Sequence, residues 1–403
     1  MSFILLFSVI YLIHRLLKEK EKFWSNPLMY LFSGTLFYLI IPAWIRVNDI
    51  YSFFSVSDSI VESAVWLSVY YWGVIFITYA ISKSSVSDFS VLVLRPKQNK
   101  VLEFLLFTFL CLSSIYILLL TYLKAMPAIN AVGRVNKIEF YYMVTNSPGF
   151  MIISWMLILY TVFISLQKRN RWYLVFQISL VFLDVITSGR EYILSFLLSY
   201  IVTSAYLKKK IPILLVVTSF VSLILVSILR AITKESSAVS LMSGMINGFG
   251  EFIFTWETSL AVLNVGYVSD ENVLITVLFR MLPSGFSTML GDIQVNYQDA
   301  LARIYNADFG LGSSILTEGL VKGSFFSILH PIFLCIYFSF SNMLNRTRNL
   351  LSRIYCFLSI LSIYSVFRGS FYISLGENHY VLFFYLYPLI FLFLMMWGRK
   401  NER

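Results

Sequence analysis

Three glutamates in apolar or glycine-rich surroundings are the residues of this 403-residue sequence best suited to acid–base chemistry: Glu251, Glu257 and Glu318. All three belong to a long segment, Arg230–Ser324, that is neither a clean membrane span nor a short connector. Burial raises the pKa of a carboxyl group and so suits it to proton transfer near neutral pH. A purely structural pairing of each carboxylate with an arginine is the alternative interpretation.

Five arginines form a second candidate group, because all of them lie on the face of the membrane predicted below to be outside: Arg190, Arg230, Arg280, Arg303 and Arg368. Guanidinium groups bind phosphate oxygens through paired hydrogen bonds and remain charged at physiological pH. Several arginines at one depth therefore predict a phosphate or pyrophosphate site. Snorkelling of individual arginines to lipid headgroups is the alternative.

Sequence motifs for other kinds of site are absent. There is no phosphate-binding loop with its lysine, no dinucleotide-binding glycine pattern, no paired-histidine zinc helix and no serine-hydrolase elbow. Asp49 and Asp58 are too far apart for an adjacent acidic metal pair. His330, beside Pro331 in an apolar run, is interpreted as a satisfied core histidine, and His379 is a weaker candidate for a site. The sequence predicts neither a metal nor a cofactor.

The composition is that of a polytopic membrane protein. Hydrophobic residues make up 58% of the chain and charged residues only 13%, against about 25% charged in soluble domains. Mean hydropathy is +0.77. The net charge of +10 does not indicate nucleic-acid binding, because the basic residues lie at the ends of apolar segments.

Eleven apolar stretches have about the length that a helix needs to cross a bilayer. Backbone polarity requires them to be helical, since an open sheet cannot satisfy its hydrogen bonds in lipid. The predicted spans are Ser2–Leu17, Pro27–Ile45, Ser63–Ile81, Val101–Leu123, Phe150–Leu166, Trp172–Thr187, Ile193–Leu207, Ile211–Leu229, Phe325–Leu344, Leu351–Phe367 and Tyr380–Trp397.

The distribution of lysine and arginine predicts the orientation of these spans. An outside N-terminus and an inside C-terminus place most of the 31 basic residues in the cytoplasm. The chain then divides into eight spans in 1–229, a large outer loop in 230–324 and three spans in 325–403. Within the loop, Phe249–Val268 and Val273–Leu290 are apolar but carry charges, so we expect interfacial or re-entrant helices.

This architecture resembles the Wzy-type oligosaccharide repeat-unit polymerases, the O-antigen polymerase family. The resemblance covers the whole chain as an arrangement of spans with one dominant late outer loop and a basic outer face. Locally, S-G-R-E at 188–191 is similar to an arginine-containing turn of the family, and G-S-S-I-L-T-E-G-L-V-K-G at 312–323 to a Gly/Ser–Glu–Gly pattern before a late span. Arg280 and Gly291 also have a spacing found in some members.

The resemblance implies a glycosyltransferase of the bacterial inner membrane with its active site facing the periplasm. Its substrates would be oligosaccharides linked to undecaprenyl pyrophosphate, and undecaprenyl pyrophosphate would be released. Glu318 matches the family's glutamate and is the first candidate for the base, ahead of Glu251 and Glu257. Membrane lipid, a Wzz-type chain-length regulator and a Wzx-type flippase are the implied partners, and nucleic acid is not one.

Two other functions stay open at the level of sequence. A flippase or transporter of lipid-linked oligosaccharide would share the apolar spans, although no repeated halves are visible. An O-antigen ligase would place a histidine in the large outer loop, and Arg230–Ser324 contains none.

Overall fold

The computed structural model describes residues 1–50, 54–82, 171–186, 191–207, 241–269, 314–347, 350–368 and 370–380, with isolated positions elsewhere. Every regular element in these ranges is helical, which confirms the predicted all-α class. The helices are α1 Ser2–Glu19, α2 Pro27–Val47, α3 Asp58–Ile81, α4 Val175–Ile186, α5 Glu191–Tyr206, α6 Leu241–Val265, α7 Ile315–Val321, α8 Ser324–Leu344, α9 Leu350–Leu361, α10 Ile363–Arg368 and α11 Phe371–Tyr380.

Three of these helices are long and apolar enough to cross a membrane. They are α2 with 21 residues, α3 with 24 and α8 with 21, and about 20 are needed. Large apolar side chains such as Ile77 on α3 and Phe325 on α8 are more than half exposed. Apolar helices with exposed apolar faces indicate a membrane protein. The predicted spans Val101–Leu123, Phe150–Leu166, Ile211–Leu229 and Tyr380–Trp397 lie mostly outside the described residues, as does Val273–Leu290.

Local sequence signals set the starts of the helices that matter for the site. Asn26 precedes Pro27, the first residue of α2, and its side chain accepts the Leu28 N–H at 3.0 Å. Ser314 caps α7 by accepting the Thr317 N–H at 3.2 Å. Both are standard helix N-caps, and proline is favoured in the first turn because it has no N–H to leave unsatisfied.

A glycine reverses the chain between α7 and α8. Gly323 has a φ of +100°, a conformation that residues with a Cβ rarely adopt. After this turn α8 packs back along α7, so that Ile315 lies opposite His330 and Gly319 lies against Ser327. The two helices therefore form an antiparallel helical hairpin.

Helix α3 runs parallel to α8. The Tyr70 hydroxyl donates to the Ile328 carbonyl at 2.9 Å, and further along both helices Cys335 Sγ lies 3.9 Å from the Val74 carbonyl. The predicted topology requires this relative direction, because it has both spans run from outside to inside.

The ends of α1 and α3 meet each other, and the end of α8 meets the start of α2. Arg15 near the end of α1 donates to the Ser82 carbonyl after α3 at 3.1 Å. Asn345 after α8 donates to the Ser25 carbonyl before α2 at 2.9 Å. The first contact joins the last turns of α1 and α3, and the second brings the end of α8 to the beginning of α2. Which membrane face each end occupies stays a prediction.

Three details differ from the sequence-based expectations. Helix α6 begins at Leu241, eight residues before the apolar stretch that starts at Phe249, because hydropathy does not detect its more polar first turns. The predicted span Leu351–Phe367 is interrupted at Ser362 between α9 and α10. Residues expected in the last outer loop form α11, whose first N–H groups are satisfied by a side chain distant in sequence.

The chain divides by internal contacts into two units, 1–87 with 251–403 and 88–250. The first unit contains α1–α3, α7–α11 and most of α6, and it carries both clusters described below. The second unit contains α4 and α5, which pack against each other.

Candidate functional site

The carboxylate of Glu318 lies at the start of α11. It accepts hydrogen bonds from the Ser370 hydroxyl, from the Phe371 N–H at 2.8 Å and from the Tyr372 N–H at 3.5 Å. The first N–H groups of a helix have no partner within the helix and favour an anion. Glu318 therefore binds α11 to α7, and its side chain is only 2% exposed.

His330 on α8 faces the same carboxylate. Its Nε2 lies 3.6 Å from Glu318 Oε2, and its Nδ1 lies 2.9 Å from the Ile315 carbonyl oxygen. The Tyr71 hydroxyl of α3 lies 3.4 Å from the same Nδ1. Glu318, His330 and Tyr71 thus form a buried cluster built from three helices, and we call it the Glu318–His330 cluster.

A glycine makes this close packing possible. Gly319 follows Glu318 on α7, and a Cβ at this position would overlap the Tyr71 hydroxyl oxygen. It would also lie 3.3 Å from His330 Nδ1 and 3.3 Å from the Ser327 Cα. Any larger residue at 319 would therefore separate α7 from α3 and α8.

Aromatic rings surround the His330 imidazole. The ring centroids of Phe326, Phe371, Tyr372 and Tyr71 lie 5.5–6.1 Å from that of His330. The cluster is therefore shielded from water by apolar surfaces, and electrostatic interactions within it are stronger than on a protein surface.

Burial raises the pKa of Glu318 from 4.5 to about 7. The hydrogen bonds from Ser370, Phe371 and Tyr372 and the charge of Lys322 act in the opposite direction and only partly compensate. Burial, with a smaller contribution from the Glu318 charge, also raises the pKa of the Tyr372 phenol far above its usual value. The predicted effect of burial on a carboxyl group is thus present at Glu318, which can exchange a proton near neutral pH.

Glu257 on α6 belongs to a separate cluster. Its carboxylate accepts the Phe54 N–H at 2.9 Å and lies 3.9 Å from Arg46 Nη1. Arg46 Nη2 donates to the Phe54 carbonyl at 3.1 Å, so the two side chains hold the Phe54 residue by both of its backbone polar groups. Glu257 is fully buried. This arrangement fixes the segment between α2 and α3 onto α6.

The remaining predicted site residues lie wholly or by their side chains outside the described part of the chain. Arg190, Arg230, Arg280 and Arg303 lie outside the described residues. Glu251 is helical within α6 and Arg368 ends α10, but their side chains lie outside the described part as well. The pyrophosphate-binding arginine group therefore stays a prediction.

Several residues of the site escaped the sequence analysis. His330 is a buried core histidine, as the sequence predicts, but the proximity of its Nε2 to Glu318 is not predicted. Tyr71, Ser370 and Arg46 carried no signal, because a single tyrosine, serine or arginine near the end or middle of an apolar stretch is ordinary in such a sequence. Among the described residues, no three His, Cys, Asp or Glu side chains are grouped as a metal site would require.

Comparisons with known proteins do not assign a family. No protein-family model, no curated protein and no solved structure matches the chain. The functional argument therefore depends on the residues themselves. What the Glu318–His330 cluster can do chemically is take up and release a proton inside a helical membrane protein.

Proposed function

We propose that this protein is a glycosyltransferase that joins oligosaccharide repeat units linked to undecaprenyl pyrophosphate, on the periplasmic face of the bacterial inner membrane. The observation that carries the proposal is the buried carboxyl group of Glu318, whose pKa of about 7 suits general base catalysis at neutral pH. The apolar helices and the resemblance of 312–323 to the Wzy-type pattern support the same assignment.

In the proposed reaction, a sugar hydroxyl of the acceptor repeat unit attacks the anomeric carbon of the donor glycan. A new carbon–oxygen bond forms while the bond to the pyrophosphate oxygen breaks, and undecaprenyl pyrophosphate leaves with the electron pair. The proton of the attacking hydroxyl passes to Glu318. Arg190, Arg230, Arg280, Arg303 and Arg368 are the proposed cations that stabilise the charge of the leaving group.

Glu318 is a better candidate for the base than Glu257. The Glu257 carboxylate lies beside the guanidinium of Arg46. This positive charge stabilises the ionised carboxylate and makes Glu257 a weaker proton acceptor. Glu318 is 2% exposed, so the acceptor must separate α7 from its neighbours before the hydroxyl reaches the carboxylate. Closure of the site around substrate would then exclude water, as gated active sites do.

A second candidate function is supported by the depth of the cluster. Tyr71 lies eight residues after Ser63, the first residue of the predicted span, about 12 Å along a helix that rises 1.5 Å per residue. Ionisable residues at such depth are typical of proton relays in transporters. A proton-coupled transporter of lipid-linked oligosaccharide is therefore the alternative to a polymerase.

Purified protein reconstituted into liposomes separates the two functions. The liposomes contain a lipid-linked repeat unit, and the products are resolved by size. A polymerase produces a ladder of lengthened glycans without a pH gradient, whereas a transporter moves the unlengthened lipid-linked sugar between leaflets only when a gradient is imposed. Movement without lengthening by the wild-type protein would refute the polymerase.

A further inference from the structure

The hydrogen bonds of His330 determine which of its nitrogens carries a proton. Nδ1 lies 2.9 Å from the Ile315 carbonyl oxygen, and a carbonyl oxygen can only accept a hydrogen bond. Nδ1 is therefore the donor in this pair. The Tyr71 hydroxyl, 3.4 Å from Nδ1, is then a weak second acceptor.

This tautomer leaves a lone pair on Nε2 of the neutral imidazole, the nitrogen that lies next to the Glu318 carboxyl group. Nε2 makes no hydrogen bond with any of the described residues, and His330 is fully buried. Its distance of 3.6 Å from Glu318 Oε2 is slightly longer than a hydrogen bond. Two acceptors that face each other in an apolar site repel, and a proton between them removes the repulsion.

We propose that Glu318 and His330 act as a single proton-accepting pair in which His330 is a positioning residue, its Nε2 accepting the O–H of protonated Glu318. Both side chains, and not Glu318 alone, then determine how strongly the site binds a proton. The role of this pair in turnover rests on the proposed function, but the pair itself does not.

Most polar groups around the pair favour the charged carboxylate, and Nε2 opposes them by favouring a bound proton. Tyr71 on α3 and Tyr372 on α11 place their phenol rings beside it, and Lys322 beyond the end of α7 contributes a positive charge that favours carboxylate. The Ser370 hydroxyl and the first N–H groups of α11 donate to the carboxyl group and also favour its charged form. Nε2 is the group that can stabilise the protonated form by accepting its hydrogen.

The proton taken from the sugar hydroxyl is released to water within one turnover. The empty pair receives the proton of the attacking sugar hydroxyl on Glu318, and Nε2 accepts a hydrogen bond from the new O–H. After the product leaves, the proton returns to water and the pair is empty again. Neither an oxidant nor a further reactant is needed.

Two substitutions of His330, each of which places an amide near the position of one ring nitrogen, test the pair. His330→Asn retains a donor near the position of Nδ1 and removes Nε2, whereas His330→Gln places an amide near the position of Nε2. Difference infrared spectroscopy measures protonation of the Glu318 carboxyl group against pH, with Glu318→Gln to assign the band. We expect the midpoint to move to lower pH in His330→Asn by on the order of one unit, as expected for loss of one hydrogen bond to the protonated form. His330→Gln should shift it at least as far, because its amide N–H stabilises the carboxylate.

The outcomes separate three explanations. A midpoint that does not move in either variant shows that His330 is only structural and overturns the proposal. A shift to higher pH shows that His330 is a cation that stabilises the carboxylate, and this also overturns it. A shift to lower pH in the variants supports the pair. If the wild-type protein makes no glycan ladder, that result refutes the proposed function and leaves the pair supported.

A second measurement leaves His330 itself unsubstituted, so it does not depend on whether the His330 variants fold. The chain has three histidines, so nitrogen-15 labelling of histidine gives few signals, and substitution of His14 and His379 assigns them. We expect His330 to show a protonated Nδ1 and an unprotonated Nε2 in liposomes at pH 8. A protonated Nε2 with an unprotonated Nδ1, or a doubly protonated ring, contradicts the proposal.

Discussion

Substitution of Gly319 by alanine tests the packing that creates the Glu318–His330 cluster. The added Cβ would overlap the Tyr71 hydroxyl oxygen and would lie 3.3 Å from His330 Nδ1 and the Ser327 Cα. Ser327 contributes backbone at this point, so relief by side-chain movement alone is incomplete. We therefore expect Gly319→Ala to push α7 away from α3 and α8.

The expected size of the effect combines two opposing contributions. Overpacking of a buried site costs about 1–3 kcal/mol, and replacing glycine by alanine within a helix gains about 1 kcal/mol. The net loss for Gly319→Ala should be about 0–2 kcal/mol. Gly73→Ala on α3 is the matched control, because its Cβ would have no neighbour within 4 Å. It should leave stability unchanged or raise it by up to about 1 kcal/mol.

Unfolding in detergent can be followed by the reaction of the buried thiols of Cys335 and Cys356 with a fluorogenic reagent, in a Cys111→Ser background. Tyr71→Phe removes the atom that the new Cβ would overlap, so it should recover part of the loss caused by Gly319→Ala. A double-mutant cycle should give a coupling of about 1 kcal/mol. Equal stabilities for Gly319→Ala and Gly73→Ala, together with no coupling to Tyr71→Phe, would refute the packing described here.

Three further predictions concern the other cluster, the arginines and the topology. Arg46→Met should destabilise the protein by about 2 kcal/mol in the same thiol assay, because its buried carboxylate partner on α6 loses its cation; an unchanged stability would show that the pair contributes little. Arg190→Ala and Arg280→Ala should each abolish polymer while the protein remains in the membrane, with partial rescue by lysine, and normal long chains from both would indicate lipid snorkels. Reporter fusions at Asn306 and Asn345 should report the periplasm and the cytoplasm, respectively, and a cytoplasmic signal at Asn306 would overturn the orientation.

Apolar length was sufficient to predict several of the helices. The predicted span Ser63–Ile81 lies within α3, and Phe325–Leu344 lies within α8. In a membrane protein the backbone must satisfy its own hydrogen bonds, so an apolar stretch of this length has little choice but to be helical. The same reasoning could not predict α11, because the cap of its first turn is Glu318, which is more than fifty residues away.

The identity of one site residue was predictable, but its partners were not. Glu318 lies in a glycine- and serine-rich segment before an apolar span, a pattern that singles it out. The contact with His330 depends on the reversal at Gly323, and that with Tyr71 depends on the missing side chain at Gly319. Both are tertiary consequences of small residues, and a hydropathy pattern contains no information about them.

The rate of glycan lengthening by Glu318→Gln tests the central claim most directly. The measurement uses purified protein in liposomes with lipid-linked repeat unit, under single-turnover conditions. Glu62→Gln on the exposed face of α3 is the control, and the thiol assay shows that both variants fold. We predict that Glu318→Gln lowers the rate by about 10²–10⁴-fold while binding of the repeat unit is retained, since a general base contributes about that factor. Lengthening at the wild-type rate by Glu318→Gln would show that the base lies elsewhere and would contradict the account.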